Sequence, residues 1–449
     1  MRSIVILVAA LAACGGVQDT GASAASTIAL EAPGRSAPRA SVSAKEGDRA
    51  GASAPSLDTS AASAAPANAS ASASAAAAAA AALSATPSAA PSAGVDSARP
   101  PAPGIVRGLY VNRWAVQSPR RMRGLVAVAD STEINAFVID MKDEFGLNYR
   151  SADSLVARNA GGAGSVPQLR ALLDTLDKHG ILSIARIVVF KDSVAARLNP
   201  DHVIRQPNGQ PWRDKHGLTW VDPYDRSIWE YNIRVAEELG RLGFREIQFD
   251  YIRFPEPYKS LPQQIFRDAN GVSKPEALAS FLREACPRIH KTGARCTADI
   301  FGLVTTVPGA LEVGQQWEKL SPVTDVLLPM VYPSHYPHGS FGVERPNADP
   351  YAIVKAAITR AHERDLALGL SGPERVRPWL QAFTLGKPAY GSHEIEEQKR
   401  AVYDSGYDSW VLWHPGSLYE IFVPGLEKDV VSRRKSLAAA RTSPQPPSQ

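Results

Sequence analysis

Between about Gly104 and Arg433 the chain alternates short apolar runs with amphipathic ones. That alternation restricts it to folds in which helices pack on a largely parallel sheet. The apolar runs predict strands at 108–116, 134–141, 181–190, 246–249, 295–300, 325–331, 377–383 and 409–413, with 366–370 competing for the seventh. Helical spacing recurs between them at 119–130, 166–179, 229–241, 275–290, 351–364 and 395–405. Eight strands in about 330 residues fit one α/β domain, a (β/α)8 TIM barrel with enlarged loops. The competing architecture is an open doubly wound sheet. It would carry a glycine-rich first strand–helix turn, and Arg113-Trp-Ala-Val-Gln-Ser118 is not one.

A barrel keeps its chemistry where its strands end at their C-terminal side. The stretch Gly243 to Pro255 ends an apolar strand on Asp250, followed at once by Tyr251 and Arg253. The other strand ends offer Arg113 and Trp114, Asp140 with Lys142 and Asp143, Arg186 and Asp192, Asp299, Tyr332 and His335, Gln381, and Trp413 with His414. The long connection 193–225 brings Trp220 as a candidate wall of the cleft. Aromatic faces beside many hydrogen-bonding groups suit a sugar, whose C–H faces stack on rings and whose hydroxyls need donors and acceptors. A phosphate site would call for glycines at a helix N-terminus, which this sequence lacks.

Hydrolysis of a glycosidic bond needs two carboxyl groups flanking it. Asp250 is the expected nucleophile, kept ionised by Arg253 or Arg186. Asp299, one strand along, is the expected acid/base, its pKa raised by burial near Phe301. Asp140, Lys142, Arg186, Trp220, Arg253, Tyr332, His335, Gln381 and Trp413 are the candidate substrate-binding residues. Competing roles stay open: Asp140 and Asp299 as loop caps, and Arg186 as a structural ion pair inside the barrel. Two rival functions also stay open, a non-catalytic carbohydrate-binding barrel and a hydrolase of another bond, such as an amide of an amino sugar.

The termini have a different character. Residues 1–14 carry one positive charge, a short apolar core and small residues before Cys14, which predicts a lipoprotein-type export signal with Cys14 lipidated. Residues 15–103 are rich in Ala, Ser, Pro and Gly, including the Ala75–Ala82 run, and predict a disordered tether. Residues 431–449 read as a disordered tail. The expected protein is therefore exported and anchored to a membrane of the cell envelope by an N-terminal lipid. A formal net charge of +4 on 449 residues gives no electrostatic case for a nucleic-acid partner. Cys286 and Cys296 either pair in an oxidising compartment or stay as buried thiols. Neither lies in a zinc-like spacing, so no metal and no cofactor are expected.

Several segments together resemble a known family: Arg107-Gly-Leu-Tyr-Val111, Ile139-Asp-Met-Lys-Asp143, Ala185-Arg-Ile-Val-Val-Phe190, Phe249-Asp-Tyr-Ile-Arg-Phe-Pro255, Ala298-Asp-Ile-Phe-Gly302, Pro329-Met-Val-Tyr-Pro-Ser-His335 and Pro378-Trp-Leu-Gln381. In order and spacing they are similar to the bacterial putative glycosyl hydrolase domain family, over nearly all of 104–425. The resemblance implies a TIM barrel distantly related to the α-amylase and α-galactosidase groups. Their nucleophilic Asp ends strand four, which corresponds to Asp250. In α-amylase-like enzymes the proton donor after strand five is Glu, and here that place holds Asp299, with Asp140 or Asp143 as the fallback donor.

Overall fold

A computed structural model of the protein describes residues 100–436. The export signal, Cys14, nearly all of the expected tether and residues 437–449 lie outside the described residues. Nine strands follow in chain order: β1 (Arg107–Val111), β2 (Ala136–Asp143), β3 (Gly146–Leu147), β4 (Leu182–Val188), β5 (Glu246–Asp250), β6 (Arg295–Phe301), β7 (Val326–Val331), β8 (Trp379–Gln381) and β9 (Trp410–Trp413). β1 pairs in parallel with both β2 and β9, so the eight parallel strands close into a ring. β3 adds only an antiparallel hairpin to β2. The architecture is the expected (β/α)8 barrel.

Helices form where side chains satisfy their first free N–H groups. Ser118, Asp225, Ser273 and Asp349 cap the helices Pro119–Ser131, Arg226–Leu242, Lys274–His290 and Pro350–Ala367, three of which carry a proline in the first turn. Gly243, at φ 117°, closes the Arg226–Leu242 helix in the left-handed region and turns the chain into β5.

Alternation along β5 sorts its side chains. Ile247 and Phe249 join the large apolar cluster shared with the helices. Glu246, Gln248 and Asp250 point into the ring, where Glu246 meets Arg377 in a bidentate pair (2.7 and 3.1 Å), Gln248 meets Asp299 and Asp250 meets Arg186. The smaller apolar cluster, which includes Tyr110, Val138, Leu328, Trp379 and Trp413, fills the rest of the interior.

Some local expectations change. The 108–116 run ends as a strand at Val111, because Asn112 accepts the Ala115 N–H at 2.8 Å and starts a short helix, Arg113–Val116. β8 is three residues long, and 366–370 falls at the end of the Pro350–Ala367 helix instead. Residues 431–436 are exposed, and the stretch to Arg434 is tied down by hydrogen bonds: Asp408 accepts from Ser432 Oγ and from the Arg433 and Arg434 amides. Cys286 and Cys296 form a disulfide, joining the end of one helix to β6. No helix among the described residues is long and apolar enough to cross a membrane.

Candidate active site

Arg186 of β4 stands at the centre of the mouth of the barrel. Register pairs it with Asp140 on one side and Gln248 on the other, so three neighbouring strands aim their side chains inward at one level. Its Nη1 donates to Asp140 Oδ1 at 2.5 Å, and its Nε donates to Asp250 Oδ2 at 3.0 Å. Tyr110 of β1 donates its hydroxyl to Asp140 Oδ2 at 2.5 Å, and the Arg186 guanidinium lies 5.5 Å from the Tyr110 ring. Burial alone would lower the pKa of Arg186. The charges of Asp250 and Asp140 outweigh it and hold the guanidinium protonated well above its ordinary value. Burial raises the pKa of Asp140, with Arg186 acting against it.

Asp250 also accepts the Tyr251 amide on Oδ1 at 2.6 Å. Tyr251 sits at φ 52°, a left-handed backbone that a bulky side chain adopts only under constraint. Phe249 pairs with Ala298, so the next residues, Asp250 and Asp299, stand side by side on β5 and β6. Among the described residues no cation is bound to Asp299. Gln248 Nε2 donates to both its oxygens (2.8 and 3.1 Å) and Trp379 Nε1 donates to Oδ1 at 2.7 Å. Only 1% exposed, its carboxyl is pushed well above the usual carboxylate range by burial and then by the charge of Asp250.

An aromatic wall adjoins these carboxyls. Trp413 stacks on Tyr110 with ring centres 6.0 Å apart, and Tyr332 and Phe383 follow at 5.6 and 5.1 Å from Trp413. His335 packs edge-on to Tyr332 and bonds Ser334 Oγ, and burial pushes its pKa down to about 4, so the ring is neutral near pH 7. Gln381 fixes this side of the mouth by accepting the Ser334 amide at 3.0 Å and donating to Phe383 O at 3.0 Å.

Other sequence candidates go elsewhere. β2 slips register between Asp140 and Lys142, so Asp140 pairs with inward-facing Arg186 while Lys142 pairs with Ile187, which faces the helices. Lys142 is accordingly buried against Asp192 (2.7 Å) and the Tyr231 ring, outside the ring of strands. Of the two arginines expected beside Asp250, Arg186 is the one that pairs with it. Arg253 pairs with Glu256 at 3.0 Å and lies among the rings of Trp220, Tyr251 and Phe301. Trp220 is enclosed, and its indole donates to Asp214. Asp143 is held by Arg113 through two bonds of 2.7 and 2.8 Å.

Tyr110, Gln248 and Trp379 were not among the sequence candidates. Gln248 and Trp379 lie two residues before Asp250 and Gln381, and that period-two spacing is the signal that would have placed them on the same inward face. A cavity of about 580 Å³ lined by Asn135, Arg170, Asp177 and Gly243 opens beside the starts of β4 and β5, and none of the site carboxyls lines it.

These features accompany clear likenesses. A hypothetical protein from Ruminiclostridium thermocellum is 37% identical over 42% of this chain and 96% of its own, with a TM-score of 0.39. The PgaB (BpsB) glycoside hydrolase domain from Bordetella bronchiseptica covers 72% of this chain and 99% of its own at 13% identity and a TM-score of 0.52, a likeness of fold. The α-galactosidase from Thermus thermophilus, in complex with stachyose, covers 74% of this chain and 67% of its own at 14% identity and a TM-score of 0.43. Comparison with the curated proteins gives no match. The family model described as the putative glycosyl hydrolase domain matches residues 108–419, and the chain belongs to that family.

Proposed function

We propose that the protein hydrolyses glycosidic bonds of a polysaccharide, with Asp250 as nucleophile and Asp299 as acid/base. The observation that carries this reading is the unequal treatment of two neighbouring carboxyls: Asp250 is bound by a permanent cation, whereas Asp299 is buried among neutral N–H donors. Adjacent strands lie roughly 4.8 Å apart, close to the ~5 Å separation of retaining enzymes. Asp299 Oδ1 already accepts two N–H groups and Oδ2 one, so the transferable proton belongs on Oδ2.

In the first step that proton passes to the glycosidic oxygen while an Asp250 oxygen attacks the anomeric carbon. The C–O bond breaks and the leaving sugar departs as an alcohol. In the second, Asp299 takes a proton from water, the hydroxide oxygen bonds to the anomeric carbon, and Asp250 is released. The aromatic wall of Trp413, Tyr332 and Phe383 supplies faces for sugar stacking. Asp140 is the second candidate donor, because burial raises its pKa as well, with Arg186 and the Tyr110 hydrogen bond acting against that rise.

The test is turnover of a glycan panel by the wild type and by Asp250→Asn, Asp299→Asn and Asp140→Asn. Asp250→Asn should abolish turnover. A glycoside with an activated aryl leaving group needs no proton donor, so the variant lacking the acid should keep its first step on that substrate alone. Glycan binding without turnover in the wild type would instead identify a carbohydrate-binding barrel. Export and lipid anchoring at Cys14 belong to the same proposal, supported by the Cys286–Cys296 disulfide, a bond favoured in oxidising compartments. Labelled palmitate should enter the wild type and not Cys14→Ser.

A further inference from the structure

The chain has eight tryptophans. Seven of them are at most 8% exposed, whereas Trp114 is 56% exposed. Its ring centre lies 6.0 Å from that of Phe145, itself 47% exposed, with the planes tilted by 55°. Exposed aromatic pairs lose the stabilisation of burial, so a rigidly held pair points to a ligand.

This pair is rigidly held. Trp114 rides on the short helix that follows β1, and Phe145 is in the turn between β2 and β3. Arg113, 1% exposed, ties one to the other with its two bonds to Asp143 and a further one to Gly146 O at 2.5 Å. Asp143 in turn accepts the Phe145 amide at 2.9 Å. Gly146, at φ 100°, lies so close to the segment beneath it that a Cβ there would meet Ala160 O at 2.4 Å. The backbones that carry the two rings are thus tied to each other by buried groups.

The pair is also continuous with the mouth. β1 and β2 carry Tyr110 and Asp140 into the site, and Trp114 and Phe145 follow the ends of these same strands. Glu144, between Asp143 and Phe145 in the chain, makes no ion pair among the described residues and is partly exposed, with burial and then Asp143 raising its pKa. Exposed aromatic faces match a pyranose ring, which presents C–H groups on its own face.

We propose that Trp114 and Phe145 form an outlying subsite that stacks a sugar unit of the same glycan chain whose scissile bond lies over Asp250. This inference rests on the glycosidase reading for the identity of the ligand but not for catalysis. It implies that affinity rises stepwise with chain length, once the glycan is long enough to reach from the mouth to the platform.

Because Trp114 is the one exposed tryptophan, iodide quenching of tryptophan fluorescence reads it selectively, and the Trp114→Phe variant assigns the quenchable fraction. The full-length Asp250→Asn protein, and the wild type at short times, are titrated with oligomers of two to eight units from chitin, starch and cellulose, and with soluble cell-wall glycan strands. The expected result is that one series shields Trp114 from iodide above a threshold length. Trp114→Ala and Phe145→Ala, checked for unchanged thermal unfolding, should then weaken the longer oligomers at least fivefold and leave the dimer unaffected. The proposal is overturned if a glycan is bound or cleaved while quenching stays the same, if no glycan in the panel shields the ring, or if shielding follows protein concentration and so reports self-association. Shielding without hydrolysis would sink the catalytic reading and keep the subsite; hydrolysis without shielding would do the reverse.

Discussion

Asp250, the last residue of β5, and Asp299, two residues short of the end of β6, stand at the same height on adjacent parallel strands, yet among the described residues an arginine binds the first and an amide and an indole bind the second. Two similar side chains thereby receive opposite instructions. A neighbouring cation favours the charged carboxylate, and burial without one favours the acid.

The pH dependence follows from that contrast. Burial, and then Asp250, raise the pKa of Asp299, so its proton is present at low pH and lost as pH rises through the folded value. Turnover should fall on the alkaline side for that reason, and Asp299→Asn should remove that limb while lowering kcat by about 10²–10⁴. Stability has the same sign. A carboxyl with a raised folded pKa contributes fully below its ordinary value and loses that contribution as pH rises. The Tm of Asp299→Asn relative to wild type should therefore climb with pH, and a constant difference would refute the assignment.

Arg186 holds two buried carboxylates apart from one another's charge. Arg186→Gln strands both, and removal of one partner from a buried ion-pair group costs about 3–5 kcal/mol. Urea denaturation should report that loss near neutral pH. Arg186→Lys should recover little, because an ammonium cannot present two separate N–H directions to Asp140 and Asp250.

His335 gives a separate signature at acid pH. Its folded pKa of about 4 lies below the ordinary 6.5 because the ring is buried. Its contribution is complete above 6.5 and is lost as pH falls toward 4, by roughly 3 kcal/mol at most. NMR titration should show the ring unprotonated at pH 5.5. His335→Gln should flatten the stability profile between pH 6.5 and 4.

Loss of the disulfide should be felt far from the mouth. Cys286→Ser closes no loop in the unfolded chain and should lower stability by about 2–3 kcal/mol. Thiol alkylation followed by mass measurement should find Cys286 and Cys296 blocked in protein from an oxidising compartment.

The overall architecture was legible because the strand–helix alternation is local, and helix caps such as Ser118 and Asp225 announce themselves within four residues. Asp250 and Asp299 were legible as polar endings of apolar runs. Lys142 was misplaced because the register slip at Met141 reverses the parity that sequence spacing assumes, and the slip depends on pairing with β4. The sequence offers Arg253 and Arg186 equally as partners of Asp250, since nearness in sequence is visible and nearness across strands is not. Tyr110 and Trp379 bond to the site from strands far away in the chain, a relation that no single segment encodes.

The last described residues return to the first. Arg107 at the start of β1 bonds Val431 O at 2.6 Å, and the Asp408 just before β9 gathers the backbone that follows. The two ends of the described chain therefore share the floor of the barrel, at the end away from Asp250. A carrier coupled to a cysteine placed at Arg434 would therefore hold the barrel from below, with its mouth facing the solution.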